Sequence, residues 1–222
     1  MVIKGIRNGS MILGLTTVWA ASAMADDTRR LYTSVDLGIG MLDSQTLEYD
    51  DGTNVSSSKV DFDASFAGGA TIGYRLNDRW AIEGAIGYRR NEIENASVAG
   101  LGDFSEADFA SLSYSVSALY YFNLGSSGKL TGFAGPGLVY IQEIDFDFEG
   151  GAGGDFEFDT DDAGLQFKLG GRYDFNDRWF ADAKATYLTA SDIRMRNTSD
   201  RTQTLTSDYD HWTLAVGFGF RF

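Results

Sequence analysis

From Leu31 onward apolar and polar residues alternate with period two in eight separate runs, the pattern of strands with one oily face. The first sets Leu31, Thr33, Val35, Leu37, Ile39 and Met41 against Tyr32, Ser34, Asp36, Gly38 and Gly40. The second opposes Phe62, Ala64, Phe66, Ala70, Ile72, Tyr74 and Leu76 to Asp61, Asp63, Ser65, Thr71 and Arg75. The third opposes Trp80, Ile82, Ile86 and Tyr88 to Glu83, Ala85, Gly87 and Arg89, and the fourth sets Leu112, Tyr114, Val116, Ala118, Tyr120 and Phe122 against a ladder of serines from Ser111 to Ser117. The fifth is less regular: Phe133, Val139 and Ile141 oppose Tyr140 and Gln142, with Pro136 between them. The sixth sets Leu165, Phe167, Leu169, Tyr173 and Phe175 against Gln166, Lys168, Arg172 and Asp174. The seventh opposes Trp179, Ala181, Ala183, Ala185 and Tyr187 to Asp182, Lys184 and Thr186, and the eighth ends the chain with Trp212, Leu214, Val216, Phe218, Phe220 and Phe222 on one face.

The connections alternate as well. Short turns are predicted at 77–79, 123–129 and 176–178, and long polar loops over about 43–60, 91–107, 143–162 and 189–210. Asn-Asp-Arg-Trp occurs twice, at 77–80 and 176–179, each time as a tight turn into an aromatic residue. Three short turns on one side and four long loops on the other describe an up-and-down barrel. A soluble barrel would carry its ions outside. Here the apolar face is almost free of charge, and mid-strand ions share the other face with Ser and Gly. Aromatics gather at both strand ends, from Tyr74, Trp80 and Trp179 near the short turns to Tyr88, Tyr187 and Trp212 toward the long loops, as girdles of a hydrocarbon band do. The predicted class is all-β: an eight-stranded antiparallel up-and-down transmembrane β-barrel over residues 26–222.

Composition narrows the function. The 222 residues include 27 Gly and no Cys, so disulfides, Cys-ligated metal and thiol chemistry are excluded. Thirty-two acidic against 18 basic residues give a net charge of −14, which argues against a nucleic-acid partner. Residues 1–25 place Lys4 and Arg7 before an apolar stretch from Met11 to Ala20 and end on Ala23-Met24-Ala25, the layout of a secretory signal peptide. Export to the outer membrane of a Gram-negative cell is therefore expected, with lipid and lipopolysaccharide as surroundings and a monomer as the state. No cofactor is expected.

The signal segment, the stretches GYRLNDRWAIEGAIGYRR and GGRYDFNDRWFADAKATYL, and the ending VGFGFRF resemble the OmpA/OmpX-type outer-membrane β-barrel families, often labelled porin family proteins. By that resemblance Phe218, Phe220 and Phe222 would be the signal read by the barrel-assembly machinery, a partner during insertion. The sequence holds nothing like the peptidoglycan-binding domain of full-length OmpA, so cell-wall anchoring is not expected. YDFNDRW followed by TYLTASDI also resembles the OmpW group, which binds or passes small hydrophobic compounds.

Two sets of residues are candidates for function. The inward set Asp36, Arg75, Glu83, Arg89, Lys168, Arg172, Asp182, Lys184 and Arg221 would form a lumen ionic cluster. A turn at 176–178 sets Arg172 opposite Asp182, and the matching register puts Glu83 diagonal to Arg75. Paired charges in so narrow a lumen predict a plug in preference to an open gate. Between 143 and 162, nine acids and no base alternate with Phe146, Phe148, Phe156 and Phe158 around a glycine run, the pattern of a projecting hairpin. If strand parity is unbroken, Phe146 and Phe148 continue the inward face of Tyr140 and Gln142, and Phe156 and Phe158 that of Gln166; the four would line a hydrophobic mouth or pack on other loops. The carboxylates could hold a divalent cation, although Phe156 stands where an EF-hand loop needs its bidentate acid. His211, the single histidine, has Ser207, Asp208 and Asp210 nearby in sequence, but no nucleophile–base–orienter pattern surrounds it. No catalytic residue is assigned.

Overall fold

The computed structural model describes residues 30–93, 96–126, 128–151 and 154–222. The expected signal peptide, residues 1–25, lies outside them. Twelve strands follow one another: β1 (Leu31–Leu42), β2 (Gln45–Asp50), β3 (Val55–Val60), β4 (Ser65–Arg75), β5 (Trp80–Ile93), β6 (Ala96–Val98), β7 (Gly102–Phe104), β8 (Glu106–Asn123), β9 (Leu130–Gly151), β10 (Gly154–Asp174), β11 (Trp179–Asn197) and β12 (Thr204–Arg221). Eight of them, β1-β4-β5-β8-β9-β10-β11-β12, pair in that order, and β1 pairs with β12 to close the barrel, Val35 opposite Phe218. Every neighbouring pair is antiparallel. Closure leaves no open edge in the wall, the condition for extended backbone to lie in hydrocarbon.

The short turns follow from asparagine chemistry. Asn77 Oδ1 accepts from the amides of Arg79 and Trp80 at 2.8 and 2.9 Å, and Asn176 Oδ1 repeats this with Arg178 and Trp179, both at 2.9 Å. The repeated motif is one Asx turn used twice.

The outer wall is apolar. Val35, Leu37, Ile72, Val116, Leu165, Leu169, Val216 and Phe218 are all exposed, whereas Ser34, Thr71, Glu83, Ser117, Lys168, Arg172 and Asp182 are buried inside. Lipid is the solvent for which such a surface is stable. Val216, 65 % exposed between Trp212 and Phe220, tests this orientation. Val216→Arg is expected to cost about 2–4 kcal/mol of stability in lipid vesicles, read from the urea midpoint.

One parity is reversed from expectation. Phe133, Val139 and Ile141 point inward and are buried, and Leu138 and Tyr140 face out. Gly132, Gly135, Pro136 and Gly137 leave this stretch with few side chains to declare a face. Inside, Phe133 fills space beneath Arg172, whose guanidinium lies 5.7 Å from its ring.

The stretch 143–162 forms the expected projecting hairpin, and the other long polar loops are largely strand as well. The β2–β3 hairpin continues the sheet from β12, with Thr204 opposite Asp50, and β6 pairs with β7. The 22 residues of β9 far exceed the roughly 9–11 that cross a bilayer, so its second half stands above the membrane. The Ser56 hydroxyl donates to the Ala99 carbonyl, the Ala99 amide donates to Ser58 Oγ at 2.6 Å, and the Ser105 amide reaches the Glu149 carbonyl at 3.2 Å. These contacts tie β3 through the β6–β7 turn to β9, so a second tier surrounds the axis. Bulges mark the join: Leu112 faces Glu143 but Ser113 faces Ile141, and Ala190 faces Tyr209 but Ile193 faces Ser207. Asp192 takes a φ of 56° in the second bulge, a left-handed conformation that Asp tolerates.

Candidate functional site: an ionic layer beneath an apolar cap

The lumen is filled in layers. At the short-turn end, Arg221 Nη2 meets Asp174 Oδ1 at 2.5 Å, and the Arg75 guanidinium lies 3.8 Å from the Tyr121 ring centre. Glu83 and Arg75 hold the expected diagonal register, Gly73 opposite Glu83 and Arg75 opposite Ala81, but form no ion pair. Glu83 is drawn across the lumen instead. Above lies an aromatic seat of Tyr32, Tyr121, Phe133 and Phe180, buried together with Ala81 and Leu119.

Three cations and three anions occupy the next layer. Arg172 Nη2 lies 3.2 Å from Asp182 Oδ2 and 3.7 Å from Glu83 Oε1. Lys168 Nζ reaches Glu83 Oε2 at 3.4 Å, and Lys184 Nζ reaches Asp36 Oδ1 at 2.7 Å and Asp182 Oδ1 at 3.8 Å. Each of these side chains is 10 % exposed or less. The layer is formally neutral and hydrogen-bonded beyond its ion pairs: Tyr32 donates to Glu83 at 2.7 Å and Thr71 to Asp36 at 3.3 Å. Arg172 Nε and Nη1 have no hydrogen-bond acceptor; its guanidinium lies instead 4.0 Å from the Phe180 ring and 4.6 Å from Tyr32. Gly217 makes the layer possible, because a Cβ there would strike the carboxylates of both Asp36 and Asp182.

A polar layer follows. Arg89 donates to Ser113 Oγ at 2.8 Å and Thr213 Oγ1 at 3.2 Å, and Gln166 donates to Ser117 Oγ at 2.8 Å. Arg89 is thus held by hydroxyls and forms no ion pair among the described residues. Arg89, Ser113, Gln166 and Thr213, with Asp36, Lys168 and Lys184 from the ionic layer, line a cavity of about 60 Å³, enough for only a few waters. His211 is fully buried above it. Its Nδ1 lies 3.4 Å from Thr213 Oγ1, its Nε2 has no partner, and it makes no hydrogen bond to Ser207, Asp208 or Asp210 among the described residues.

The upper tier has an apolar core. Phe146, Phe148 and Phe158 are wholly buried and Phe156 packs beside them. Phe148 stands opposite Phe156 and Phe146 opposite Phe158 in the β9–β10 hairpin. All four thus face inward: Phe156 and Phe158 share the unbroken parity of Gln166 along β10, whereas Phe146 and Phe148 arrive by a different route, the reversed parity of 133–141 and the extra residue at Gln142 cancelling. Phe104, Phe109 and Tyr209 complete the cluster, with ring centres of Phe104–Phe148 at 4.8 Å, Phe109–Phe146 at 5.1 Å and Phe109–Tyr209 at 5.4 Å. Sequence reasoning missed these partners, and it missed the aromatic seat. The available signal was a large aromatic on the polar parity: Tyr32 beside Ser34, Tyr121 continuing the serine ladder, Phe180 beside Asp182.

The acids of the same hairpin face outward. Carboxylate oxygens of Asp145, Asp147 and Glu157 lie within 4.8 Å of one another, and Asp108 stands opposite Asp147. The three could offer ligands to a divalent cation. In the absence of a cation a proton relieves the repulsion: burial first, and then the Asp145 charge, push the Asp147 carboxyl up to about 7. Asp145 is raised as well, mainly by burial. The folded hairpin therefore holds more protons than the unfolded chain between the ordinary value of 3.8 and about 7. This contribution to stability is complete below that window and lost as pH rises through it. Hairpin amides, corrected for intrinsic exchange, are expected to exchange more slowly at about pH 5 than at about pH 8, and Asp147→Asn should flatten the difference.

An oily wall, two aromatic girdles and a charged, filled axis define a membrane-spanning β-barrel of the smallest class. Residues 11–222 match the family model described as outer membrane protein beta-barrel domain, and the chain belongs to that family. Among solved structures, the outer membrane protein OprG from Pseudomonas aeruginosa superposes with a TM-score of 0.59 at 20 % identity, covering 88 % of this chain and 99 % of that one. The outer membrane protein AlkL in DMPC bilayers gives 0.53 at 18 % identity, with 89 % and 93 % covered. Both share its fold. No curated protein matches the chain.

Proposed function

We propose that this outer-membrane barrel is closed to free diffusion and acts through its bulk in the membrane and through the acidic surface of its upper tier. The observation that carries the reading is the neutral layer of Asp36, Glu83, Lys168, Arg172, Asp182 and Lys184 across the lumen. Moving one of these ions aside would strand its partner in a low-dielectric site, which costs several kcal/mol. Planar-bilayer recordings are expected to show no steady conductance; large, stable channels would overturn the reading. The chain works as a monomer, and Phe218, Phe220 and Phe222 guide its insertion by the assembly machinery.

A second reading has its own support. The inward phenylalanines, parted by a small hydrophobic solute, would give it an apolar site at the outer mouth, with Phe146, Phe148 and Phe158, packed against one another in this structure, at its centre. Exchanging Phe146, Phe148, Phe156 and Phe158 for Ser should then abolish binding of a fluorescent apolar probe. Equal binding by both proteins would remove this reading and leave the first intact.

A further inference from the structure

The exterior of the upper tier is mainly acidic; its exposed bases are Lys59 on β3, Arg90 on β5 and one group of three arginines, among the described residues. Arg194 and Arg196 project outward from the end of β11, and Arg201 lies in the turn to β12. With Asp159, Thr160, Asp161 and Asn197 they line a polar cleft of about 270 Å³. All three arginines are exposed, and none forms an ion pair among the described residues, although two carboxylates share the cleft. A hydrogen bond from Arg194 Nη2 to Thr204 Oγ1, 3.3 Å, positions the first of them. Arg90, exposed on the same outer face, behaves differently: it is bound to Asp108 at 2.8 Å and Glu92 at 3.2 Å.

Height above the membrane narrows the ligand. Tyr187 and Trp212, ring centres 4.8 Å apart, belong to the upper girdle. Arg194 lies beyond Tyr187 by about 20 Å of strand, on the face that looks sideways over the lipid. Phosphorylated sugars of outer-leaflet glycolipid occupy that zone. We propose that the cleft binds a phosphate-bearing saccharide, the core of the surrounding glycolipid. The guanidinium groups of Arg194, Arg196 and Arg201 hold the phosphate through charge-assisted hydrogen bonds. Thr160 and the carboxylates of Asp159 and Asp161 accept from sugar hydroxyls; Asp161 already takes one such bond at 2.8 Å, from the Tyr140 hydroxyl. A bare phosphate would meet the repulsion of both carboxylates, whereas a saccharide uses them.

The test is binding to the chain refolded into a nonionic polyoxyethylene detergent, so that no glycolipid is carried over. Three probes are titrated: phosphorylated core oligosaccharide freed of its lipid, the same oligosaccharide after dephosphorylation, and inorganic phosphate. The first is expected to bind saturably and to shift the side-chain Nε–H resonances of the three arginines. Dephosphorylation, or the triple change Arg194→Gln, Arg196→Gln, Arg201→Gln, should weaken binding by about tenfold or more, and Arg90→Gln should leave it unchanged. The heat-modifiable gel band reports whether the triple variant folds; Arg201→Gln alone, in an exposed turn, is the fallback and should still weaken binding severalfold. Wild-type affinity in a folded triple variant, or in Arg201→Gln if the triple fails to fold, would overturn the site. Inorganic phosphate binding as tightly as the oligosaccharide would overturn the saccharide and assign the cleft to free phosphate.

Discussion

Arg172→Met is expected to lower stability by about 3–5 kcal/mol, because removing one partner of a buried ionic network leaves the others uncompensated. Methionine keeps the side chain out to the position of Nε and its thioether suits the aromatic seat of Tyr32, Phe133 and Phe180, so the packing loss is confined to the end of the guanidinium. The larger part is charge. Without Arg172 the layer holds two cations, Lys168 and Lys184, against Asp36, Glu83 and Asp182, and Asp182 keeps only Lys184 at 3.8 Å. Adding Asp182→Asn restores neutrality, with Lys168–Glu83 and Lys184–Asp36 intact. The double variant should therefore regain most of the loss in urea unfolding from lipid vesicles. A single variant that unfolds like wild type, or a double variant no better than the single, would show that the six groups do not act as one layer.

The layer was readable from the sequence because the two features that create it are local. Period-two parity placed Arg172 and Asp182 on the inner face, and the tight Asn176 turn fixed their register, so the pair at 3.2 Å follows from counting. Glu83 could not be placed so simply. Its register neighbour on β4 is Gly73, but it pairs with Lys168 and Arg172 from β10, across the lumen. No pattern within one hairpin contains that distance. The fifth run failed for a different reason: where Gly132, Gly135, Pro136 and Gly137 stand, parity is carried by too few side chains, and the sequence offered Phe133 as lipid-facing when it fills the lumen. Apart from the 143–162 hairpin, the upper tier read as loops because its strands are polar on their solvent face. Its inner face was visible only in the phenylalanines of β9 and β10. Closing the tier takes Ser56, Ser58 and Ala99, which are far apart in sequence and chemically ordinary.

Phe146→Ala should cost a comparable amount, about 3–5 kcal/mol, through the cavity it opens, but the loss should stay local. Phe146 is fully buried, with ring centres of Phe148 at 4.4 Å, Phe109 at 5.1 Å and Phe62 at 6.1 Å, so its removal takes a shared support from β8, β9 and the segment before β4. Below this core Arg89, Asn91 and His211 form a buried polar layer, in which the Asn91 amide donates to the carbonyls of Gly40 and Asp63 at 3.3 and 2.9 Å. The membrane tier beneath it is closed by its own ladder and by lipid. Hydrogen exchange is therefore expected to rise together in β2, β3 and the tips of β9 and β10, with amides beside Lys168 and Lys184 as protected as in wild type. Extracellular protease should cut the variant in the upper tier and leave a membrane-embedded barrel. Uniform deprotection down to the short turns would show that the two tiers fold as one unit and that the apolar cap is part of what keeps the ionic layer shut.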